Sequence, residues 1–226
     1  MKHGFFINSK MENIQQLKLG ILGLGEGRST MSAALQSPHI ELVKICDLNE
    51  ELGRKRMKEF DFHAYTNDYQ AMLDDENIEA IAIYTPDHLH AKHIELALAH
   101  DKHVICTKPF IDNLADANAL LELATQKNKR VFVGQSSRFF EPVKKQREDF
   151  DAGLIGDLIT IEGYYHADHR WFLDKPWSLQ SSFKWLYGGL SHPVDFIRWY
   201  LPNIEEVMGY GMLSANGKKG GLQNVD

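Results

Sequence analysis

Residues 17–28 read LKLGILGLGEGR, an apolar, β-prone run that breaks on Gly23, Gly25 and Gly27 just before a helical stretch, STMSAALQS at 29–37. A strand that passes through glycines directly into a helix is the opening of a βαβ unit. Gly23 permits a tight turn, and Gly25 removes the side chain that would hold a ligand off the backbone. The helix that follows presents the positive end of its dipole, so the turn suits a pyrophosphate. Arg28 stands at the third position of the G-x-G-x-x-G pattern, where glycine is usual. Gly27, one place earlier, is expected to supply the close helix packing, and Arg28 a charge-assisted contact to phosphate.

Working outward, the second strand IELVKICD (40–47) ends in Asp47, 22 residues beyond Gly25. A carboxylate at that tip accepts hydrogen bonds from ribose hydroxyls and repels a 2′-phosphate, which favours NAD over NADP. The competing reading is that Asp47 only caps the helix NEELGRKRMKEF (49–60), for which Asn49 is itself a plausible cap. The alternation continues through a strand AIAIYT (80–85), a helix HLHAKHIELALAH (88–100), a strand KHVICT (102–107), a helix DNLADANALLELATQK (112–127) capped by Asp112 or Asn113, and a strand RVFVGQS (130–136). Short apolar strands separated by helices imply a parallel sheet covered on both faces. The fold class is therefore α/β, with a doubly wound Rossmann domain over residues 17–137 preceded by a loose arm, 1–16. From 138 to 226 the pattern changes to a second, α+β domain: a helix EPVKKQREDFDAG (141–153), a strand DLITIEGYYHA (157–167), an aromatic-rich loop (168–186), a helix HPVDFIRWYL (192–201) with Pro193 in its first turn, and a strand EEVMGYGML (205–213). Two strands and two helices do not make a sheet with a covered face, so this second domain is expected to be incomplete.

Composition excludes several classes. With 43% apolar residues the chain can bury a core. A formal charge of −6, with 25 basic residues spread along the sequence, provides no stripe for a phosphate backbone, so no nucleic-acid partner is expected. The longest apolar runs are strand-sized, which points away from a membrane and towards the cytoplasm. Cys46 and Cys106 close predicted buried strands and should act as small hydrophobes, without a disulfide. His88, His90 and His93 share helical spacing but lack a thiolate or carboxylate cluster, so no metal site is expected.

The segments GLGEGR, CD, TPDHLH, TKPF, GQSSRFF and GLIGDLITIEGYY follow one another in an order that resembles the Gfo/Idh/MocA family of NAD(P)-dependent oxidoreductases, the group of glucose-fructose oxidoreductase and inositol dehydrogenase. The resemblance covers residues 17 to 213. It implies that Thr85 and Pro86 lie along the cofactor, with His88 and His90 near its phosphate and nicotinamide side. Lys108 is implied as the lysine of the family's Glu-Lys-Pro motif, touching cofactor and polarising a substrate oxygen. In WLYGGLSHPVDFIRWYLP, His192 and Asp195 match the last positions of the family's Asp-x-x-x-His-x-x-Asp pattern, which makes His192 the general acid/base. Arg138, His166 and Trp171, with Tyr164, Tyr165, Arg170 and Trp177 nearby, are the groups expected to meet a small polyhydroxylated substrate.

Two positions depart from the family. Thr107 stands where glutamate is usual, and Gly188 where aspartate is usual; Asp168 or His169 could substitute. The expected function is hydride transfer between NAD and a sugar, cyclitol or similar polyol. The alternatives are a glycosidase that retains its NAD and a non-catalytic dinucleotide-binding protein. The resemblance further implies a second-domain sheet that serves as a homo-oligomer interface and is cut short in this chain.

Overall fold

The computed structural model describes residues 15–168, 170–179 and 183–223. The elements run β1 (Leu17–Leu22), α1 (Gly27–Gln36), β2 (Ile40–Cys46), α2 (Glu50–Phe60), β3 (Tyr65–Thr66), α3 (Tyr69–Leu73), β4 (Ala80–Ile83), α4 (His90–Ala99), β5 (His103–Thr107), α5 (Leu114–Gln126), β6 (Val131–Gly134), α6 (Glu141–Asp151), α7 (Trp185–Gly189), α8 (Ser191–Tyr200) and α9 (Ala215–Lys219). The strands make a six-stranded sheet in the order β3-β2-β1-β4-β5-β6. The pairs β1–β2, β1–β4, β2–β3 and β5–β6 are all parallel. Chain order reverses beside β1, the switch that defines a doubly wound Rossmann sheet. The α/β expectation holds.

The chain packs as two compact units, one through Tyr84 and one from Thr85 onward. In the first, β1 and β4 are buried on both faces, as the continuous apolar runs require, and Leu19, Ile21, Leu24, Met31, Ile45 and Ile81 have no exposed surface. Asn49 caps α2, its side chain accepting from the Leu52 amide at 3.0 Å. β3 and α3 had no counterpart in the sequence pattern; two and five residues are too short to show a period. Gly53 lets α2 lie against the Tyr65 ring, where a Cβ would collide with ring carbons. That ring is anchored in turn, since Tyr65 donates its hydroxyl to the Asp47 carbonyl at 2.8 Å.

In the second unit, Ile94, Ala97 and Leu98 of α4 are buried, as are Val104 and Cys106 of β5. α5 is capped by Asn113, which accepts from the Ala115 amide at 3.0 Å, and this decides between the two candidate caps. The strands expected at 157–167 and 205–213 are not formed; neither stretch has ladder partners. Backbone groups need a partner strand to make a sheet, and the apolar side chains there are uncovered, with Ile159 95% and Tyr210 93% exposed. The alternation in 157–167 has another cause. Gly163 approaches Pro193 of α8 so closely that a Cβ would sit 3.0 Å from its ring, and Tyr165 stacks on His192, so these two residues meet a helix instead of a sheet. The second-domain sheet, and with it the expected self-association surface, thus has no strand among the described residues.

The stretch expected as a loop contains 3-10 turns at Arg170–Asp174 and Pro176–Leu179 and the short α7. Phe172 lies 5.5 Å from Trp177, 5.9 Å from Phe183 and 5.3 Å from Trp185, a small aromatic core of its own. No described helix is long and apolar enough to cross a membrane. Gly53→Ala should cost about 1–3 kcal/mol, because the Tyr65 ring must move and release the Asp47 carbonyl; urea unfolding against wild type measures it.

Candidate functional site

The glycine turn of the first unit has the shape the sequence implied. Gly23 has φ +89°, a backbone conformation that favours glycine. A Cβ on Gly25 would meet nothing within 4 Å, so the need for glycine there is set by open space above the backbone and not by protein packing. Gly27 is different: a Cβ would sit 3.0 Å from Ile21 and 3.4 Å from Tyr84, so it provides the close helix-on-sheet packing. Asp47 reaches back across the turn. Its Oδ2 accepts from the Leu24 amide at 2.8 Å and its Oδ1 from the Asn49 amide at 2.8 Å. Each carboxylate oxygen keeps a second lone pair. Open backbone at Gly25 and a carboxylate fixed beside it fit the diphosphate and ribose of a dinucleotide.

Arg28 is placed otherwise than expected. It donates through Nε to Glu59 at 2.6 Å, and Glu59 also accepts from Arg56 at 2.7 Å, so the Arg28 guanidinium is committed to a carboxylate and is not held ready for phosphate. The Glu59 carboxyl is accordingly drawn below its usual range, chiefly by the Arg28 hydrogen bond.

In the second unit the residues singled out from the sequence fall into two sets. One lies in the turn before α4. Thr85 Oγ1 is 3.0 Å from His93 Nδ1, Pro86 opens a 3-10 turn, and His88 is exposed within it. His90 is fully buried with both ring nitrogens against backbone carbonyls, not exposed beside a cofactor as expected. Burial, and then the charges of His90, Lys92 and His88, push the His93 imidazole down to about 4. Asp87 lies here too; burial raises its carboxyl, against the pull of His90 and Lys108.

The other set gathers around α7 and α8. Lys108 donates from Nζ to the carbonyl of Gly188 at 2.7 Å. His192 has Nδ1 3.2 Å from the Ser137 hydroxyl and stacks on Tyr165 at 5.4 Å between ring centres. Burial lowers the His192 pKa, and the Lys108 charge lowers it further, with Asp195 opposing. Ser137 and Tyr165 thus belong to the site, although neither was singled out as holding His192; a serine in a loop carries no periodic or charge signal. Arg138 and Asp195, both half-buried, close on each other with two bonds of 2.6 Å, and the Arg138 guanidinium lies 4.8 Å from the Trp199 ring centre. They brace α8 more than they wait for substrate. Asp168 is likewise engaged, by Arg170, and is exposed; Trp171 packs on Phe172 at 4.3 Å; His166 is exposed beside Tyr164. None of these three is brought to His192 by a described contact. His169 lies outside the described residues. Thr107 makes only a 3.5 Å contact to the Lys108 carbonyl. Both cysteines are free and buried, with the Cys46 thiol pushed up to about 12 by burial. No group of three His, Cys, Asp or Glu among the described residues could hold a metal ion.

Residues 17–135 match the oxidoreductase family with an NAD-binding Rossmann fold, Gfo/Idh/MocA. The chain belongs to that family. Among its curated members, a levoglucosan dehydrogenase of Pseudarthrobacter phenanthrenivorans is 27% identical over 210 residues, covering 86% of this chain and 53% of the relative. An inositol 2-dehydrogenase of Salmonella typhimurium is 26% identical over 190 residues, covering 82% and 54%. Of the solved family structures, apo scyllo-inositol dehydrogenase from Lactobacillus casei superimposes with a TM-score of 0.73 at 25% identity over 84% of this chain and 56% of that one. A levoglucosan dehydrogenase in complex with NADH and levoglucosan gives 0.70 at 28% identity, over 82% and 54%. The chain spans about half the length of the curated relatives it matches.

Arg138→Ala would leave the Asp195 carboxylate half-buried without its partner. We expect a loss of about 1–3 kcal/mol in denaturant unfolding, with Arg138→Lys recovering only part of it.

Proposed function

We propose that this Gfo/Idh/MocA member is an NAD-dependent oxidoreductase that moves a hydride between nicotinamide and a carbon bearing a hydroxyl on a sugar, cyclitol or related polyol. The observation that carries the reading is the pairing of an ammonium and an imidazole in one unit: Lys108 is anchored on the Gly188 carbonyl, and its charge reaches His192. The relatives named for levoglucosan and inositol support the substrate class.

The glycine turn and Asp47 would hold the pyrophosphate and adenosine ribose, Asp47 disfavouring a 2′-phosphate. When bound, NAD supplies the hydride acceptor. The chain's own part is proton and charge management. Ser137 occupies His192 Nδ1, which leaves Nε2 as the ring nitrogen to face a substrate hydroxyl. Burial keeps that ring neutral and ready to take the hydroxyl proton. Lys108 lies on the side of developing negative charge and lowers the energy of the alkoxide. Thr85, Pro86 and His88 border the same turn as Asp87, and we place the nicotinamide side of the cofactor there. His166 and Trp171 remain candidates for substrate contact only if the exposed stretch that carries them closes on the ligand.

A titration with NADH and NADPH, followed by quenching of the four tryptophans, tests the binding half. Saturable binding with NADH preferred is the expected result, and binding to neither would overturn the reading. On a panel of cyclitols and anhydrosugars, Lys108→Met should lower kcat/KM by about a hundredfold or more. Wild-type turnover by that variant would remove Lys108 from the chemistry.

The pH dependence has a definite sign. Because the His192 pKa is lowered, the neutral base persists below the ordinary imidazole value of about 6.5, and polyol oxidation should lose its acid limb only below that point. His192→Gln should abolish the limb together with most of the rate. An acid limb above about 6.5 in wild type contradicts the assignment.

A further inference from the structure

His90 opens α4 with no exposed surface. Its Nδ1 lies 2.8 Å from the Pro109 carbonyl oxygen and its Nε2 lies 2.8 Å from the Thr85 carbonyl oxygen. A backbone carbonyl can only accept. A neutral imidazole has one N–H and one bare lone pair, so it can satisfy only one of these contacts; the other would press a lone pair against a carbonyl oxygen at a buried site. Both contacts become hydrogen bonds only when both ring nitrogens carry protons, and each is then charge-assisted.

We propose that His90 is a buried imidazolium that bolts the carbonyl of Thr85 to the carbonyl of Pro109, and that through this bolt it is a positioning residue for Lys108, the residue joined to Pro109. The charge state stands on the two contacts alone; the positioning role rests on the reading of Lys108 given above.

The surroundings bear on whether a cation is tolerated there. The positive end of α4 opposes it, and so do the neighbouring cations Lys92 and Lys108. Favouring it are the two carbonyl oxygens; Asp87 in the preceding turn faces His90, Lys108 and Asp112, and burial raises its carboxyl. His88 and His93 are the other titratable groups of this turn and helix. His93 is held neutral by burial and by these same charges, and its Nδ1 takes the Thr85 hydroxyl. Thr85 is thereby gripped twice, at its carbonyl by His90 and at its hydroxyl by His93. An imidazolium gives each carbonyl an aimed N–H, whereas the same ring with one proton keeps a lone pair against one carbonyl oxygen.

The test uses the whole chain with 15N-labelled histidine, and long-range proton–nitrogen correlation at about pH 7.5, where an ordinary imidazole is mostly neutral. His90 is assigned by the signal lost in His90→Gln. Two protonated ring nitrogens with slowly exchanging protons are expected; one unprotonated nitrogen overturns the bolt. For the positioning role, His90→Gln offers a donor to one carbonyl and none to the other. It should lower kcat about tenfold while NADH affinity and substrate KM stay unchanged. A variant that is less stable but keeps full kcat reduces His90 to a structural residue and overturns that role. If His90→Gln and His90→Asn both fail to fold, the wild-type ring signals, assigned by elimination, decide the bolt. Wild type that shows both protons but binds no NADH would reject the proposed function and leave the imidazolium standing.

Discussion

The hydrogen bond from Lys108 Nζ to the Gly188 carbonyl joins residues 80 apart in sequence, and the arrangement of the candidate site in the second unit depends on it. It fixes the end of β5 against α7, and α8 follows α7 directly, so it also sets where the Lys108 charge falls relative to His192. Burial is the first cause of the lowered His192 pKa, and the Lys108 charge adds to it. Around this bond the other contacts act as braces: Ser137 and Tyr165 hold the imidazole ring, and Arg138 with Asp195 holds the helix that carries it. Ser137 and Arg138 come from one turn and Tyr165 from the segment at 157–167, so that segment contributes to holding His192 although it makes no sheet.

The first unit solves a simpler problem by similar means. A glycine turn is floppy in isolation, because each glycine admits many backbone states. Asp47 tightens it by taking the Leu24 amide, Tyr65 holds the Asp47 backbone, and Gly53 makes room for Tyr65. The carboxylate that would read the ribose is therefore also the group that shapes the turn for the pyrophosphate, and this explains how a helix-capping appearance and a binding role coincide at one aspartate.

Much of the sheet was legible because its strands are apolar runs between helices of ten residues or more, where period alone separates the two. The same logic failed where the physical cause of a pattern was ambiguous. The apolar pattern at 157–167 reads as a strand, but in the structure its contacts with α8 come from Gly163 and Tyr165, and Ile159 is exposed. At 205–213 the apolar residues face outward, and Val207 is 87% exposed. Within the site, Lys108 and His192 could be read from motif, whereas the acceptor for Lys108 could not. Gly188 looked like a lost carboxylate. Its contribution is a backbone carbonyl, a group every residue carries and no sequence pattern marks. For Arg28 the charge was visible in the sequence, and its partner Glu59, 31 residues away, was not.

The substitution at 188 also changes the charge of the site. An aspartate there would meet the ammonium with a full negative charge; a carbonyl meets it with a dipole and leaves most of its field in place. Thr107 in place of glutamate acts in the same direction. With two family carboxylates gone, Asp87 remains the carboxylate facing Lys108 from the α4 turn, and burial works against its ionisation. The result is a more cationic site than the family pattern describes. Under the proposed chemistry such a field would stabilise a developing alkoxide more strongly and make His192 a weaker base, so that what is gained on the charge that forms is set against what is lost on the proton that leaves.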